Sequence, residues 1–146
     1  MNKSEILNII HQKLSEKIYH LEYLIAETRA ANNETKSSMG DKYETSREML
    51  QQEINNLQIQ LNENIRVRNS LKSISVNQHQ NVGLGSLVET DKGFFYIAVS
   101  LGIIDYEKNK IFLISSESPL AQAMNGKTEN EMFSMKKKKK KIVKIW

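Results

Sequence analysis

The chain has 146 residues, a formal net charge of +4 and no cysteine, which is length enough for one ordinary domain, or for two small ones if one is an extended element with little core of its own. Without cysteine there is neither a disulfide nor a thiolate zinc site, and a reducing, cytoplasmic setting fits. Lys3, Glu5, His11 and Lys13 interrupt the apolar residues near Met1 too early for a secretory signal, and no window approaches the roughly 20 apolar residues that a membrane span needs.

Composition changes along the chain. Up to Ser75 Gly40 is the only glycine and there is no proline, whereas Gly83, Gly85, Gly93, Gly102, Pro119 and Gly126 all follow. Turn-forming residues are therefore confined to the second half. From Ser4 to about Asn32 apolar residues recur at steps of three and four: Leu7, Ile10, Leu14, Leu21 and Leu24, flanked by Ile6, Ile18 and Ile25. A second such segment runs through Leu50, Ile54, Leu57, Leu61 and Leu71. Both stripes are heptad-like and narrow, and the other faces are polar, so the two helices must pack on each other or on a partner. The link from Asn33 to Gly40 is short and polar, which favours antiparallel neighbours within one chain, hence a monomer. A helix of roughly 30 residues makes a rod on the order of 45 Å long. The predicted hairpin occupies residues 1–75, with its tip at 38–45.

Residues 76–81 form a polar, aperiodic linker. After them short β-type runs alternate with turn residues: Ser86 to Glu89, Phe94 to Ser100 and Lys110 to Ser115. Asp91-Lys92-Gly93 is the predicted hairpin turn, and Asp105 to Asn109 a second loop. Pro119 to Met124 reads as a short helix with Ser118 as N-cap, and Ile142 to Trp146 as a closing strand. The expected fold class is α+β, a helical hairpin (coiled coil) over 1–75 and a small β-rich domain over 82–146.

The stretch Ser38-Met39-Gly40-Asp41-Lys42-Tyr43-Glu44-Thr45 lies where the hairpin turns. Asp41 and Glu44, three residues apart at the end of a rod, are placed to reach into another molecule. The same spacing also makes a capping-box-like start for the second helix, with Asp41 accepting from a free backbone N–H. A cap can also face outward, so the two accounts coexist.

Gly40-Asp41 with Glu44 resembles the Gly-Asp-x-x-Glu-Asn signature of the GreA/GreB family of bacterial transcript-cleavage factors. Gly85-Ser86-Leu87-Val88, Tyr96-Ile97, Ile114-Ser115-x-x-Ser118-Pro119-Leu120-Ala121 and Gly126-Lys127 are similar to that family's carboxy-terminal domain. The resemblance implies an FKBP-like second domain and a factor that acts on bacterial RNA polymerase. It implies a coiled coil inserted in the secondary channel, where Asp41 and Glu44 help hold a Mg²⁺ shared with the polymerase active centre while the nascent RNA 3′ end is cut. Such extra carboxylates steady a weakly held Mg²⁺ that activates water and offsets charge on the phosphate. The chain would then be no enzyme and have no cofactor of its own; it would stimulate the polymerase's intrinsic endonuclease. Ser118, Pro119 and Leu120 match the segment implied to dock on the polymerase. The sequence departs from the pattern at Thr45, where the family usually has Asn, and residues 46–50 lack its Ala-Glu-Tyr continuation. A relative that occupies the channel without supporting cleavage is the alternative.

Other features carry less. His11, His20 and His79 have no metal-ligand spacing. Gly83-Leu84-Gly85 lacks the rest of a dinucleotide fingerprint. Phe94, Phe95, Tyr96, Tyr106 and Phe112 are too evenly scattered for the aromatic cavity of a prolyl isomerase. The run Lys136 to Lys141 could meet nucleic acid through phosphate contacts; the plainer account is a charged β-edge or hairpin that discourages edge-to-edge pairing, since no aromatic interleaves the lysines. Trp146 is expected to pack on the small domain.

Overall fold

The computed structural model describes residues 1–37 and 44–146. These separate into two compact units, His11–Asn69 on one hand and Met1–Ile10 with Ser70–Trp146 on the other. The fold is α+β, two long helices followed by a six-stranded sheet that carries one short helix.

Helix α1 spans Lys3–Ser37 and helix α2 Glu44–Ser70. Residues 33–37, read from the sequence as link, continue α1: Asn, Glu, Thr, Lys and Ser are tolerated in a helix at a few tenths of a kcal/mol each, and nothing there forbids it. In the His11–Asn69 unit, Ile18, Leu21 and Ile25 of α1 are buried with Ile54 and Leu61 of α2, and Leu57 and Ile65 close the seam half-buried. Asn32, late in α1, and Glu44 and Arg47, early in α2, line one shallow depression, so the helices run antiparallel. The seam therefore follows Ile18, Leu21 and Ile25 rather than Leu24, which is one residue, about 100° of helix rotation, away. The outer face of α2 is laced by Gln51–Asn55 and Gln58–Asn62 hydrogen bonds, both 3.1 Å, and the Glu63–Arg66 ion pair, neighbours three or four residues apart on a helix surface.

In the other unit, α2 passes into a 3-10 turn at Leu71–Ser73, whose Leu71 is buried with Ile74. The strands are β1 Leu87–Thr90, β2 Gly93–Ile97, β3 Gly102–Tyr106, β4 Asn109–Ile114, β5 Met132–Met135 and β6 Lys138–Ile145, in the order β3-β4-β2-β1-β6-β5. All neighbours pair antiparallel except β2 and β4. Two expectations need correction, and one strand has no counterpart among the expected runs. The stretch Gly102–Tyr106 is a strand where a loop was expected from Asp105; Met132–Met135 is a strand; and β6 begins at Lys138, four residues before the predicted closing strand. Lysine has poor intrinsic strand preference, but pairing of Lys138 to Lys141 with Met135 to Met132 overrides it.

Strand alternation sorts the sheet into two faces. Val88, Ile97, Phe133, Ile142 and Ile145 pack with Ala121 and Met124 of helix α3, Pro119–Met124. Behind α3, Gly126 takes φ +77° and donates to Val82 O at 2.8 Å, and Val82 N–H donates to Lys127 O at 2.9 Å, which pins the chain entering the sheet to the end of the helix. The opposite face carries Leu87, Tyr96, Ile104, Tyr106, Ile111 and Leu113, all buried. In the same unit Ile6 and Ile10 of α1 are fully buried, and the Tyr106 hydroxyl on this face donates to the Glu5 carboxylate.

Tyr96 is wholly buried on that face, and its hydroxyl finds no partner among the described residues. Burial pushes its phenol up to about 12. Because an unpaired buried hydroxyl costs about 1–3 kcal/mol, Tyr96→Phe is expected to leave stability at pH 7 unchanged or raised by about 1 kcal/mol. The phenol ionises in the unfolded chain from about pH 10 but in the folded chain only near 12, so its contribution is intact below pH 10 and lost above it. Urea melts of both proteins should therefore diverge further in favour of the phenylalanine variant as pH rises from 10 to 12.

Candidate functional site

Sequence reasoning nominates two places, the hairpin turn and the start of α3. At the turn, Asp41 lies outside the described residues. Glu44 is the first residue of α2 and is exposed, and Thr45 and Ser46 beside it are exposed as well. A carboxylate in the first turn faces the helix end where free N–H groups leave partial positive charge, which stabilises it in place.

One turn further on stands Glu48, which sequence reasoning passed over. Glu44 and Glu48 are four residues apart, on one helix face, and both line the shallow depression with Asn32, Arg47 and Gln51. The i, i+4 spacing was the available signal. Asn32 is buried, and its side-chain oxygen has no partner among the described residues. This depression is thus lined by two exposed carboxylates, Glu44 and Glu48, beside Arg47. Among the described residues no three histidine, aspartate or glutamate side chains are grouped so as to hold a metal ion. Two carboxylates alone suit a Mg²⁺ that keeps waters and takes its remaining ligands from phosphates or another protein.

At the second place, Ser118 caps α3 as its sequence implies. Its Oγ accepts from the Ala121 N–H at 3.2 Å, its carbonyl accepts from Gln122 N–H at 3.0 Å, and Pro119 occupies the first turn, where no N–H is needed. Pro119 is exposed, whereas Leu120 is half-buried against the core under α3. Phe95 packs on the same core and stacks on Phe112, ring centroids 5.3 Å apart. Phe112 lies opposite Ile103 in register, and both are exposed. Leu120 and Phe95 thus border one core, and Phe95, Phe112 and Ile103 are neighbouring apolar residues on that face of the sheet. The aromatic residues that looked evenly scattered are sorted by strand alternation: Phe95 and Phe112 share this face, Tyr96 and Tyr106 the other.

No protein-family model matches the chain, and no curated protein matches it. One similar solved structure is that of the transcription factor Gfh1. It is 16% identical, with 92% of each chain covered and a TM-score of 0.36. A likeness at that identity and score assigns neither a family nor an activity.

Among the described residues no helix is long and apolar enough to cross a membrane. The histidines do not converge: His79 sits near Asn77 O and the Lys3 ammonium, both 3.1 Å from its Nδ1, while His11 and His20 are exposed on α1.

Proposed function

We propose that this chain is a transcription regulator of the GreA/GreB kind, a non-enzymatic factor that binds bacterial RNA polymerase and brings carboxylates to the polymerase's own active centre. The observation that carries the reading is the exposed acidic start of α2, with Glu44 in the first turn of a two-helix unit, together with the resemblance of the tip and carboxy-terminal motifs. Asp41 and Glu44 are the residues assigned to the shared Mg²⁺, which when bound would activate water for cutting the nascent RNA 3′ end. Glu44 offers an oxygen ligand already free of any protein cation among the described ion pairs. Docking is assigned to Ser118, Pro119 and Leu120, with the exposed Phe112 and Ile103 extending the apolar contact.

A second reading, occupation of the polymerase channel without cleavage, is favoured by Thr45 and the residues after it, which depart from the family pattern. The deciding experiment is transcript cleavage in a stalled, backtracked polymerase complex from the same organism, with wild type, Asp41→Asn and Glu44→Gln. The expected outcome is stimulated cleavage that falls at least tenfold in each variant while polymerase binding persists. Binding by wild type without stimulation would select the second reading; no binding would end both.

A further inference from the structure

We propose that the open face of the β5–β6 hairpin binds the phosphodiester backbone of a single-stranded nucleic acid, with Trp146 stacking on a base at one end of the basic strip. This inference does not rest on the polymerase reading.

Seven lysines fall between Lys136 and Lys144. Lys136 and Lys137 form the hairpin turn, and both have positive φ, 52° and 64°. A tight turn with both central residues left-handed ordinarily takes Asn, Asp or Gly; a lysine there is strained, by about 1–2 kcal/mol, and two in succession put cationic side chains at the hairpin's end against local preference. Along β6 alternation points Lys138 and Lys140 toward the α3 side, where Lys140 is half-buried opposite the buried Phe133. Lys139, Lys141 and Lys144 stand on the other side with Ser134 and Met132, and all five are exposed. Residues two apart on a strand lie about 6.7 Å from each other, so this face is a spaced row of ammonium groups.

Among the described residues none of the nearby carboxylates is ion-paired with a lysine of the row. Asp91 accepts from the Lys141 backbone N–H at 3.4 Å, Glu129 from the Ile145 N–H at 3.1 Å, and Glu131 from the Thr128 N–H at 2.8 Å. Glu89 is opposite Lys144 in register without an ion pair. The Glu63–Arg66 and Asp105–Lys110 ion pairs involve none of these groups. Asp91, Glu129 and Glu131 serve the backbone, and Lys139 and Lys141 are exposed to solvent.

The row ends at an aromatic. Lys144 Nζ lies 4.8 Å from the centre of the Trp146 ring, and Trp146 is tilted against Phe94 at 6.2 Å. Trp146 is half-buried, and it borders an open depression of about 420 Å³ to which Asn2, Ser4 and Gln78 bring polar groups. A stacking ring beside hydrogen-bonding groups, at the end of a cationic track, is the arrangement that holds a single strand without sequence preference. An acidic protein surface is the weaker fit, because protein interfaces are depleted in lysine whereas phosphate contacts rely on it.

The test uses the full chain and fluorescein-labelled 20-nucleotide RNA, DNA of the same sequence, and duplex DNA, titrated by anisotropy from 50 to 200 mM salt. Lys139→Gln/Lys141→Gln/Lys144→Gln is compared with Lys17→Gln/Lys72→Gln/Lys108→Gln, which removes the same charge elsewhere; circular dichroism checks that both fold. Wild type is expected to bind both single strands, and the hairpin variant to bind at least tenfold more weakly, its log K against log salt slope shallower by about 2 for three lost contacts. The control variant should stay within threefold of wild type. Trp146 is the only tryptophan, so its fluorescence should be quenched by the single strands and not by the duplex. No binding at 50 mM salt, equal losses in both variants, or a preference for duplex would overturn the proposal, and binding without quenching would remove the stacking contact from it.

Discussion

Ile54→Asp should be the most damaging single change in the two-helix unit, costing on the order of 4 kcal/mol or more. Ile54 is 4% exposed and shares its seam with Ile18, Leu21, Ile25 and Leu61. An aspartate there loses about 2 kcal/mol of apolar burial and either buries an unpaired carboxylate or opens the seam to water. The seam is what holds the unit: side-chain pairs on the outer faces are worth a few tenths of a kcal/mol each, and most of a helix's stability in a protein comes from packing of its apolar face. The expected result is a large loss of ellipticity at 222 nm at 25 °C and a melt shifted down by more than 10 °C. The same change at Leu57, half-buried at the margin of the seam, should cost about half as much, since the carboxylate can turn to solvent. Equal effects at the two positions would mean that the seam is centred elsewhere.

That contrast marks how far the sequence could be read. Steps of three and four located both helices, and a short polar link implied an antiparallel pair, because two narrow stripes have nowhere else to go. The same periodicity could not choose between Leu24 and Ile25, or between Leu7 and Ile6, since adjacent apolar residues fit a stripe equally well until the partner surface fixes the rotation. In the sheet unit, alternation found β1, β2 and β4, whose apolar residues are bulky. It gave no strand at Met132–Met135, whereas the lysine run, expected as a charged β-edge or hairpin, does form the hairpin turn and the start of β6, where pairing with Met132–Met135 overrides lysine's poor strand preference. Ser118 and Pro119 were legible since capping is local chemistry. Glu48 was not, because it joins Glu44 only through the helical face they share one turn apart, and not through chain spacing at the turn.

Lys3 was legible only as a charge that interrupts an apolar run, yet it is 6% exposed and ties the start of α1 to the segment before β1. Its Nζ donates to Asn77 O at 2.6 Å and Gly85 O at 2.9 Å and lies 3.1 Å from His79 Nδ1. Gly85 is confined too: at φ +90°, a Cβ there would come within 3.1 Å of Ser75 O. Lys3→Met keeps the aliphatic stem and removes the donors. Asn77 is exposed, so water can replace the ammonium at its carbonyl, whereas Gly85 is buried and its carbonyl would be orphaned, at about 1–3 kcal/mol. Relief from burying a cation offsets part of this, so a net loss of about 2 kcal/mol is expected in urea melts at pH 7. The pH dependence separates the two terms. Burial holds the Lys3 ammonium below its ordinary 10.5, so the folded chain sheds this proton before the unfolded chain does, and stability from this group rises toward pH 10.5 and falls as pH drops through the lowered value. A neutral amine still donates to Gly85 O without the cost of a buried charge. The advantage of wild type over Lys3→Met should therefore widen between pH 7 and 10.5; a gap that narrows would mean that the charge itself, and not the donated hydrogen bonds, holds this joint.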